Sequence, residues 1–231
     1  LEQALEQALA DLRRRVVRPL IDRQLREVRE ELKKQIKDSV KLGAWLNRVK
    51  EDILDGLELF QPAESDDAAR REALAALVAR YRVNLVVDNH ELEGAPVIVE
   101  DNPLFRSLFG SIEYQSENDV LVTDFSRIRA GSLHRAHGGF LLLHLRDLVA
   151  DGLVWEKLRR FLRSGRLQIE EPGTPFAPVA AVSLEPEPVD ADVKIVLIAS
   201  RQLYYDLQEA DPEFARRFRV KVDFAERFAT S

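Results

Sequence analysis

The sequence predicts a helical arm followed by an α/β module whose mostly parallel sheet is covered by helices. Two observations lead to this prediction. Residues 1–60 carry apolar residues at steps of three or four and no strand pattern, which is typical of amphipathic helices. From Tyr81 onwards, continuous apolar runs alternate with helical patterns, as expected for parallel strands packed between helices. We therefore predict a helical arm over residues 1–80 and an α/β module over residues 81–231.

Three apolar stripes predict the helices of the arm. The first stripe contains Leu1, Leu5, Leu9, Leu12, Val16 and Leu20. Pro19 lies inside it and is expected to kink or break the helix, because proline has no N–H to donate. A second stripe begins at Leu25, a break is predicted at Gly43, and a third stripe begins at Trp45. The arm is expected to be a helical hairpin or short coiled coil, either a spacer or a binding surface, with a further helix through Leu77.

Apolar runs predict the strands of the module. In chain order they are "YRVNLVVDN" (81–89), the strand within "GAPVIVEDNP" (94–103), the extended stretch "DVLVTDFSRI" (119–128), "GGFLLLHL" (138–145), "VKIVLIAS" (193–200) and "VKVDF" (220–224). The proline-rich segment 171–192 is expected to be loop or edge hairpin. Its Glu185 and Glu187 alternate with proline, which favours an extended hairpin over an acid–base pair.

Helical patterns separate these runs. A short helix is predicted to end at Gly110, and another over residues 131–137 has Ser132 as its cap. An amphipathic helix follows Asp151 and is stopped by Gly165. The segment 204–218 is predicted to form two helices divided near Asp211-Pro212.

Composition excludes several classes of function. The net charge of −6 argues against general binding to nucleic acid or to anionic membranes. Cysteine is absent, so the chain has no disulfide and no thiolate nucleophile. The apolar runs are far shorter than a membrane span, and with no signal peptide visible we expect a cytoplasmic protein. Methionine is absent even at position 1, so we expect the chain to be part of a longer protein.

The order of these pieces resembles a known family. The most specific stretches are "NPLFRSLFGSIEY", "TDFSRIRAGSLHRAHGGFLLL" and "SLEPEPVDADVKIVLIASRQLYYDL" followed by "DPEFARRFRVKVDF". Over about residues 81–228 the chain resembles the AAA+ module of Lon-like serine peptidases, and most closely the branch sometimes called LonC. The resemblance implies an AAA+-like fold, a hexameric ring, and a Ser-Lys peptidase domain that lies outside this chain.

The resemblance places the acids of an active nucleotide site at His144 and Leu145. In an active module of this family, the strand after the glycine pair ends in an aspartate that holds the Mg²⁺ water shell and a glutamate that polarises the attacking water. Imidazole is a poor substitute for carboxylate on Mg²⁺, and leucine accepts no proton. Loss of a general base alone costs roughly 10²–10⁴-fold in rate. The resemblance therefore implies a degenerate Walker B strand, and Asp147 lies too far along the chain to replace the aspartate.

A phosphate-binding loop of the form G-x-x-x-x-G-K-[ST] does not occur in the 231 residues. "HGGF" and "RAGS" contain glycine but lack the lysine and the strand–loop–helix context. Together with the missing acids, this favours a module without ATPase activity, for which we expect no cofactor. A phosphate loop upstream in a longer protein stays an alternative.

Other positions are assigned by the same resemblance. Ser200 falls near the sensor position, with helix capping as the alternative. Arg216 and Arg217 fall at the arginine-finger position, with an ion pair on the surface or at a subunit interface as the alternative. A pore loop is expected around Phe109, Gly110 and Tyr114, unless Phe109 is core. His134, His137 and His144 are interpreted as structural and not as metal ligands, since no cysteine accompanies them.

These observations lead to one functional prediction with two alternatives. The chain is expected to be the ring-forming, substrate-gating, non-catalytic part of an ATP-independent Lon-like serine endopeptidase that degrades unfolded polypeptides. Its expected partners are unfolded polypeptide and further copies in a hexameric ring, and no nucleic acid or membrane. The first alternative is the ATPase module of an ATP-dependent Lon-family protease. The second is a helical scaffold with no link to proteolysis.

Overall fold

The chain divides into two compact units, Leu1–Val83 and Asn84–Ser231. The computed structural model describes residues 2–36, 38–60, 68–117, 120–171 and 184–224. Within these ranges, none of the helices combines the length and the apolar character that crossing a membrane requires.

The first unit is helical, as predicted. Its helices are α1 (Glu2–Leu32), α2 (Ser39–Asp55) and α3 (Ala68–Ala79), with a short 3-10 helix at Leu57–Phe60. Ion pairs join α1 to α2 in reverse order along the chain, from Arg14–Asp55 at 2.8 Å to Asp22–Lys50 at 3.2 Å. The two helices therefore form the predicted antiparallel hairpin.

The break between the two helices falls earlier than the sequence predicts. Gly43 lies inside α2, and α1 continues through Pro19 without a break. The Asp38 carboxylate accepts hydrogen bonds from the Val40 and Lys41 amides, and this side-chain cap begins α2. A capping residue therefore decides the boundary, and the glycine is tolerated within the helix.

The second unit contains the strands and the remaining helices. Its strands are β1 (Val97–Glu100), β2 (Ser111–Ile112), β3 (Gln115–Glu117), β4 (Val120–Val122), β5 (Ile128–Arg129), β6 (Gly139–His144), β7 (Arg166–Leu167), β8 (Val189–Asp190) and β9 (Val193–Ile198). Its helices are α4 (Phe105–Phe109), α5 (Ser132–Arg135), α6 (Leu145–Ala150), α7 (Gly152–Ser164), α8 (Arg201–Ala210) and α9 (Pro212–Arg217). The fold is thus an AAA+-like α/β fold preceded by helices.

A three-stranded parallel sheet in the order β1-β6-β9 forms the centre of this unit. The register aligns Leu141 of β6 with Ile98 and with Ile195, so their side chains lie on the same face. That face packs on a core that includes Leu133, Leu148, Val154, Leu158 and Phe161. The opposite face carries partly exposed apolar side chains, among them Val97, Val99, Phe140, Val196 and Ile198.

Two predicted strands are wrong. Residues 81–89 are not paired as a strand, although the Asn84 side-chain amide anchors the segment by donating to the Phe125 and Ile128 carbonyls. Residues 220–224 are not a strand either, and Val220 is 88% exposed. A β-rich run forms a strand only beside a partner, and among the described residues neither segment has one.

The predicted helix ends are confirmed where a specific residue ends the helix. Gly165 closes α7 in the left-handed region, with φ of 66°. Asp211 caps α9 through the Glu213 amide, and Pro212 occupies the first turn, so the helical segment divides at the predicted point. The predicted helix ending at Gly110 is α4. Residues 172–183 of the proline-rich segment lie outside the described residues, and residues 184–188 form neither helix nor strand.

Candidate functional site at the carboxyl edge of the sheet

The carboxyl ends of β1, β6 and β9 meet at one edge of the parallel sheet. Ligands of open α/β sheets bind at this edge, because loops and helix N-termini converge there. The register sets Glu100 beside Leu143 and His144 beside Ile198. The residues that end these strands therefore decide what chemistry the edge can support.

His144 and Leu145, the two positions expected to carry acids in an active module, lie in different environments. His144 is exposed at the N-cap of α6 and makes no side-chain capping bond. Leu145 is fully buried in the core. The next acid along the chain, Asp147, is exposed in the first turn of α6.

This pair does not fit a magnesium–nucleotide site. Mg²⁺ requires oxygen ligands in near-octahedral geometry, and an imidazole offers nitrogen. A fully buried leucine can neither contact a water on a phosphate nor remove a proton from it. Within the described ranges, no group of three or more His, Cys, Asp or Glu side chains is arranged to hold a metal ion.

Glu100 ends β1 at this edge, and sequence reasoning missed it. Its side chain is 14% exposed, and both oxygens are occupied. One oxygen accepts from the Asn102 amide at 3.2 Å, and the other accepts from the Ser132 hydroxyl and lies 3.8 Å from the Arg135 guanidinium. These contacts tie β1 to α5. The acid directly after the apolar run "VIV" was the available signal.

Ser132 does not cap α5, contrary to the prediction. Gly131 is the N-cap, and Ser132 is the first helical residue, fully buried. Its hydroxyl is directed to Glu100 and lies 3.1 Å from the Ser107 carbonyl oxygen. Glycine is required at position 131 because a Cβ there would overlap the backbone of Leu108 and Gly110. The Ser132 hydroxyl therefore links α5 to β1 and to α4. Its hydrogen bonds are used within the fold, so it is not available as a nucleophile.

The glycine pair of "HGGF" lies at the opposite end of β6 from His144. The Gly138 amide donates to the Asp192 carbonyl at 2.7 Å, and the Gly139 amide donates to Ala136 at 2.9 Å. A Cβ at Gly139 would overlap the Pro96 carbonyl oxygen, so this glycine permits close packing of two chain segments. Both amides are occupied and lie at the amino edge, so they cannot bind phosphate at the carboxyl edge.

Ser200 follows β9 and caps α8. Its hydroxyl accepts from the Leu203 amide at 3.2 Å, which confirms the capping interpretation. The capping bond occupies one acceptor position of an exposed hydroxyl at the carboxyl edge. A role of Ser200 as a sensor stays a prediction.

Arg216 and Arg217 are exposed on the last turn of α9, and this helix is firmly held. Phe214, 3% exposed, packs its ring 5.0 Å from Phe218, 5.6 Å from Tyr204 and 6.3 Å from Trp155, measured between ring centroids. The backbone is thus fixed, while within the described residues neither arginine side chain has a bonded partner.

A charge cluster holds the start of α9 against α7. Arg159 lies 3.3 Å from both Asp211 and Glu213, and Arg163 lies 3.0 Å from Glu213. Hydrogen bonds from Arg163 and then Arg159 hold the pKa of the Glu213 carboxyl below its ordinary value. These pairs are internal to the unit, so the cluster positions α9 and leaves its C-terminal arginines available.

The three residues of the predicted pore loop lie in different environments, and their role in a pore stays a prediction. Phe109 is fully buried in the core, as the alternative interpretation proposed. Gly110 is buried in a turn with φ of 87°, a region that favours glycine. Tyr114 is half-buried beside the β3–β4 hairpin. Of the three, only Tyr114 has surface to offer a substrate.

Of the three histidines that the sequence analysis interprets as structural, two have structural contacts. His134 Nδ1 accepts from the Gly131 amide at 3.3 Å, and His137 Nδ1 accepts from the Asp192 amide at 3.1 Å. Burial, together with the nearby Lys157 ammonium, lowers the pKa of His134 to about 4, so its imidazole is neutral at neutral pH. The structural interpretation is confirmed for His134 and His137.

The second unit matches a described family. The family model "LonB-like, AAA domain" matches residues 93–225, more than half of the 231 residues. The matched range contains all three strands of the parallel sheet, the carboxyl edge and α9. A protein of Escherichia coli (strain K12) described as "Putative Lon protease homolog" is 27% identical over 143 residues. The alignment covers 60% of this chain and 22% of that protein, so the chain spans about a fifth of the relative's length.

Proposed function

Because the chain belongs to the family of LonB-like AAA domains, we propose that it is the ring-forming, substrate-gating part of an ATP-independent Lon-like serine peptidase of the LonC type. The observation that supports ATP independence is the burial of Leu145 in the core. An acid lost from an exposed loop could be replaced by a neighbouring side chain. Here the position that should face the attacking water is instead part of the packing of the fold.

The proposed activity of the whole protein depends on a peptidase domain outside this chain. In this proposal the module admits unfolded polypeptide to a closed chamber and does no chemistry itself. Tyr114 and the adjacent β3–β4 hairpin are the segment that we propose contacts the entering polypeptide. A half-buried tyrosine beside a short hairpin offers an aromatic ring with accessible surface, which suits contact with many sequences.

If the ring forms without nucleotide, direct protein–protein contacts must hold neighbouring subunits together. We propose that Arg216 and Arg217 supply them as intersubunit ion pairs with acids of the neighbouring copy. The geometry of α9 supports this proposal. The packing of Phe214 and the charge cluster around Arg159 hold the helix in place, while Arg216 and Arg217 stay exposed. The net charge of −6 provides many possible acidic partners.

ATP turnover by the full-length protein tests the first part of the proposal. Phosphate release with Mg²⁺ and ATP is expected to stay at the background level measured without protein. His144→Ala is the control, because it removes the one side chain at the acid positions that could bind a metal. Clear turnover that disappears in His144→Ala would contradict the proposal and favour an ATP-dependent Lon-family protease.

Sedimentation of the full-length protein tests the second part. The ring is expected with and without ATP, and replacing Arg216 and Arg217 together by alanine is expected to weaken it. Desolvated ion pairs cost several kcal/mol when one partner is removed, whereas exposed pairs contribute about 0–1 kcal/mol. Replacing both arginines by lysine keeps the charges and should keep the ring. A ring that forms only with ATP would contradict nucleotide-independent assembly. A ring unchanged by the alanine substitutions would contradict the role of the two arginines.

A further inference from the structure

Helix α1 carries two apolar faces, and among the residues that the structure describes only one of them is packed. Val17, Ile21 and Leu25 lie on the face towards α2 and are half-buried. A second stripe is exposed: Leu5 62%, Leu9 43%, Leu12 56%, Val16 61% and Leu20 62%. At 3.6 residues per turn these five residues lie within about 80° of one another and on the side of α1 away from α2. We call them the outer stripe.

The outer stripe is too regular for scattered surface residues. Its members follow each other at steps of four, three, four and four, which is the spacing of a helix-packing seam. The stripe runs from Leu5 to Leu20, so about 22 Å of helix separates its ends. Isolated apolar residues on a surface need no explanation, but a continuous stripe of this length marks a contact surface.

The charges along α1 favour one kind of partner for the stripe. Residues 4–12 contain the acids Glu6 and Asp11 and no base. Residues 13–23 contain five arginines and a single acid, Asp22. The outer stripe runs through both segments, with Leu12 at its middle. A helix with an acidic half and a basic half is complementary to a reversed copy of itself.

We propose that the outer stripe pairs with the outer stripe of a second copy of this chain in antiparallel orientation. In this pair Leu5 lies opposite Leu20, Leu9 lies opposite Val16, and Leu12 approaches its own counterpart on the two-fold axis. This register covers all five apolar residues. It also places the acidic segment of each copy beside the arginines of the other.

Parallel pairing is disfavoured by the same charges. It would set the five arginines of residues 13–23 directly beside those of the other copy, and like charges across a helix seam are destabilising. Part of the basic segment is already engaged within the unit, because Arg14 and Arg18 bond to Asp55 and Glu51. Among the described residues Arg13 and Arg15 have no bonded partner and stay available to a second copy.

The pair is independent of the ring proposed above. A two-fold contact uses the same surface on both copies and closes on itself, whereas a ring contact joins two different surfaces. The arginines proposed for the ring lie on α9, in the other unit. Failure of one contact therefore leaves the other unaffected, and the 231-residue chain can be used to test the pair.

Thiol cross-linking of the 231-residue chain determines the orientation. Because the chain contains no cysteine, each introduced cysteine is the only thiol. Leu12→Cys is expected to cross-link to itself with a short bis-maleimide. Leu5→Cys and Leu20→Cys are each expected to stay uncross-linked alone and to cross-link when the two variants are mixed. Self-cross-linking at both end positions would show a parallel pair, and no cross-link in the mixture would also overturn the proposal.

A matched pair of substitutions tests the stripe itself. Val16→Glu adds a charge to the stripe, and Val40→Glu adds the same charge at an 80% exposed position of α2 outside it. Val16→Glu is expected to raise the dimer dissociation constant in sedimentation by more than about tenfold, and Val40→Glu to leave it unchanged. Circular dichroism confirms that both variants keep their helices. A chain that sediments as a single copy, or equal effects of the two substitutions, contradicts the pairing.

Discussion

The two ends of strand β6 have been shaped by different requirements. At the amino end, both glycine amides are bonded and Gly139 leaves no space for a side chain beside Pro96. At the carboxyl end, His144 is exposed and Leu145 is buried in the core. Close packing explains Gly139, and a backbone φ of 78° explains Gly138, although the pair looks like part of a nucleotide site. The proposed loss of ATP chemistry rests on the carboxyl end, where Leu145 is buried at the position expected to carry the base.

The largest effect is expected when the missing acid is restored at the buried position. Leu145→Glu should lower the free energy of unfolding by about 3–5 kcal/mol, because it buries a charge without a partner. The helix dipole at the start of α6 favours an acid by at most about 1 kcal/mol and does not offset this loss. Urea unfolding followed by Trp155 fluorescence in a Trp45→Phe background reports on the second unit alone, since the chain has two tryptophans.

Leu145→Met is the control for this substitution, because it keeps the volume and the apolar character. It should cost less than about 1.5 kcal/mol. If Leu145→Glu were tolerated as well as Leu145→Met, the position would be accessible to water. The main support for ATP independence would then be lost.

The amino end should tolerate substitution differently at its two glycines. Gly139→Ala is expected to cost about 3 kcal/mol, because the new methyl group overlaps the Pro96 carbonyl and backbone must move. Gly138→Ala has open space around its Cβ but keeps φ of 78°, and it should cost only about 1–2 kcal/mol. The same fluorescence measurement compares them. A larger loss at Gly138 would mean that backbone conformation, and not close packing, requires the glycine pair.

Sequence reasoning predicted well the elements whose signals are local. Gly165, Asp211 and Ser200 act on their own helix ends, so their roles could be inferred from the neighbouring residues alone. The parallel sheet was also predictable, because its strands lie in short continuous apolar runs. Residues 81–89 and 220–224 have the same composition and still are not strands, since a strand depends on a neighbour that composition does not specify.

Residues of the candidate site could be predicted only where their place in the sequence, directly after a strand, indicated their role. His144 and Leu145 were identified by their place after a strand, but the burial of Leu145 depends on residues distant in the sequence. The contact between Glu100 and Ser132 joins positions 32 residues apart and leaves no pattern in either segment. Phe109 was ambiguous for the same reason, because an aromatic residue before a glycine suits both a core and a pore loop.

Protonation of His134 in α5 should make the free energy of unfolding depend on pH. Its pKa is lowered to about 4 in the folded chain, against an ordinary value of 6.5. The unfolded chain therefore binds the proton more readily, so stability is complete above about pH 6.5 and is lost as the pH falls towards 4. The full loss is about 3 kcal/mol. Protonation of Nδ1 also removes the acceptor for the Gly131 amide.

His134→Asn isolates this contribution from the carboxylates that titrate over the same range. The difference in unfolding free energy between the unchanged chain and His134→Asn should decline between pH 6.5 and pH 4. A difference that stays constant over that interval would show that His134 is solvated in the folded chain. The fluorescence of Trp155 again follows the unit that contains it.

The smallest effect is expected at His144, and its sign is informative. His144 occupies the N-cap of α6 without a side-chain bond, whereas aspartate accepts from the amides of the first turn. His144→Asp should therefore raise the free energy of unfolding by about 0.5–1 kcal/mol, and His144→Ala should leave it nearly unchanged. Phosphate release by the full-length His144→Asp protein should stay at background, because Leu145 still provides no base.

A stable variant that hydrolyses ATP would mean that the missing aspartate alone accounts for the lack of ATP hydrolysis. A destabilised variant would mean that the imidazole has a structural role at the carboxyl end, as His134 and His137 have before the amino end.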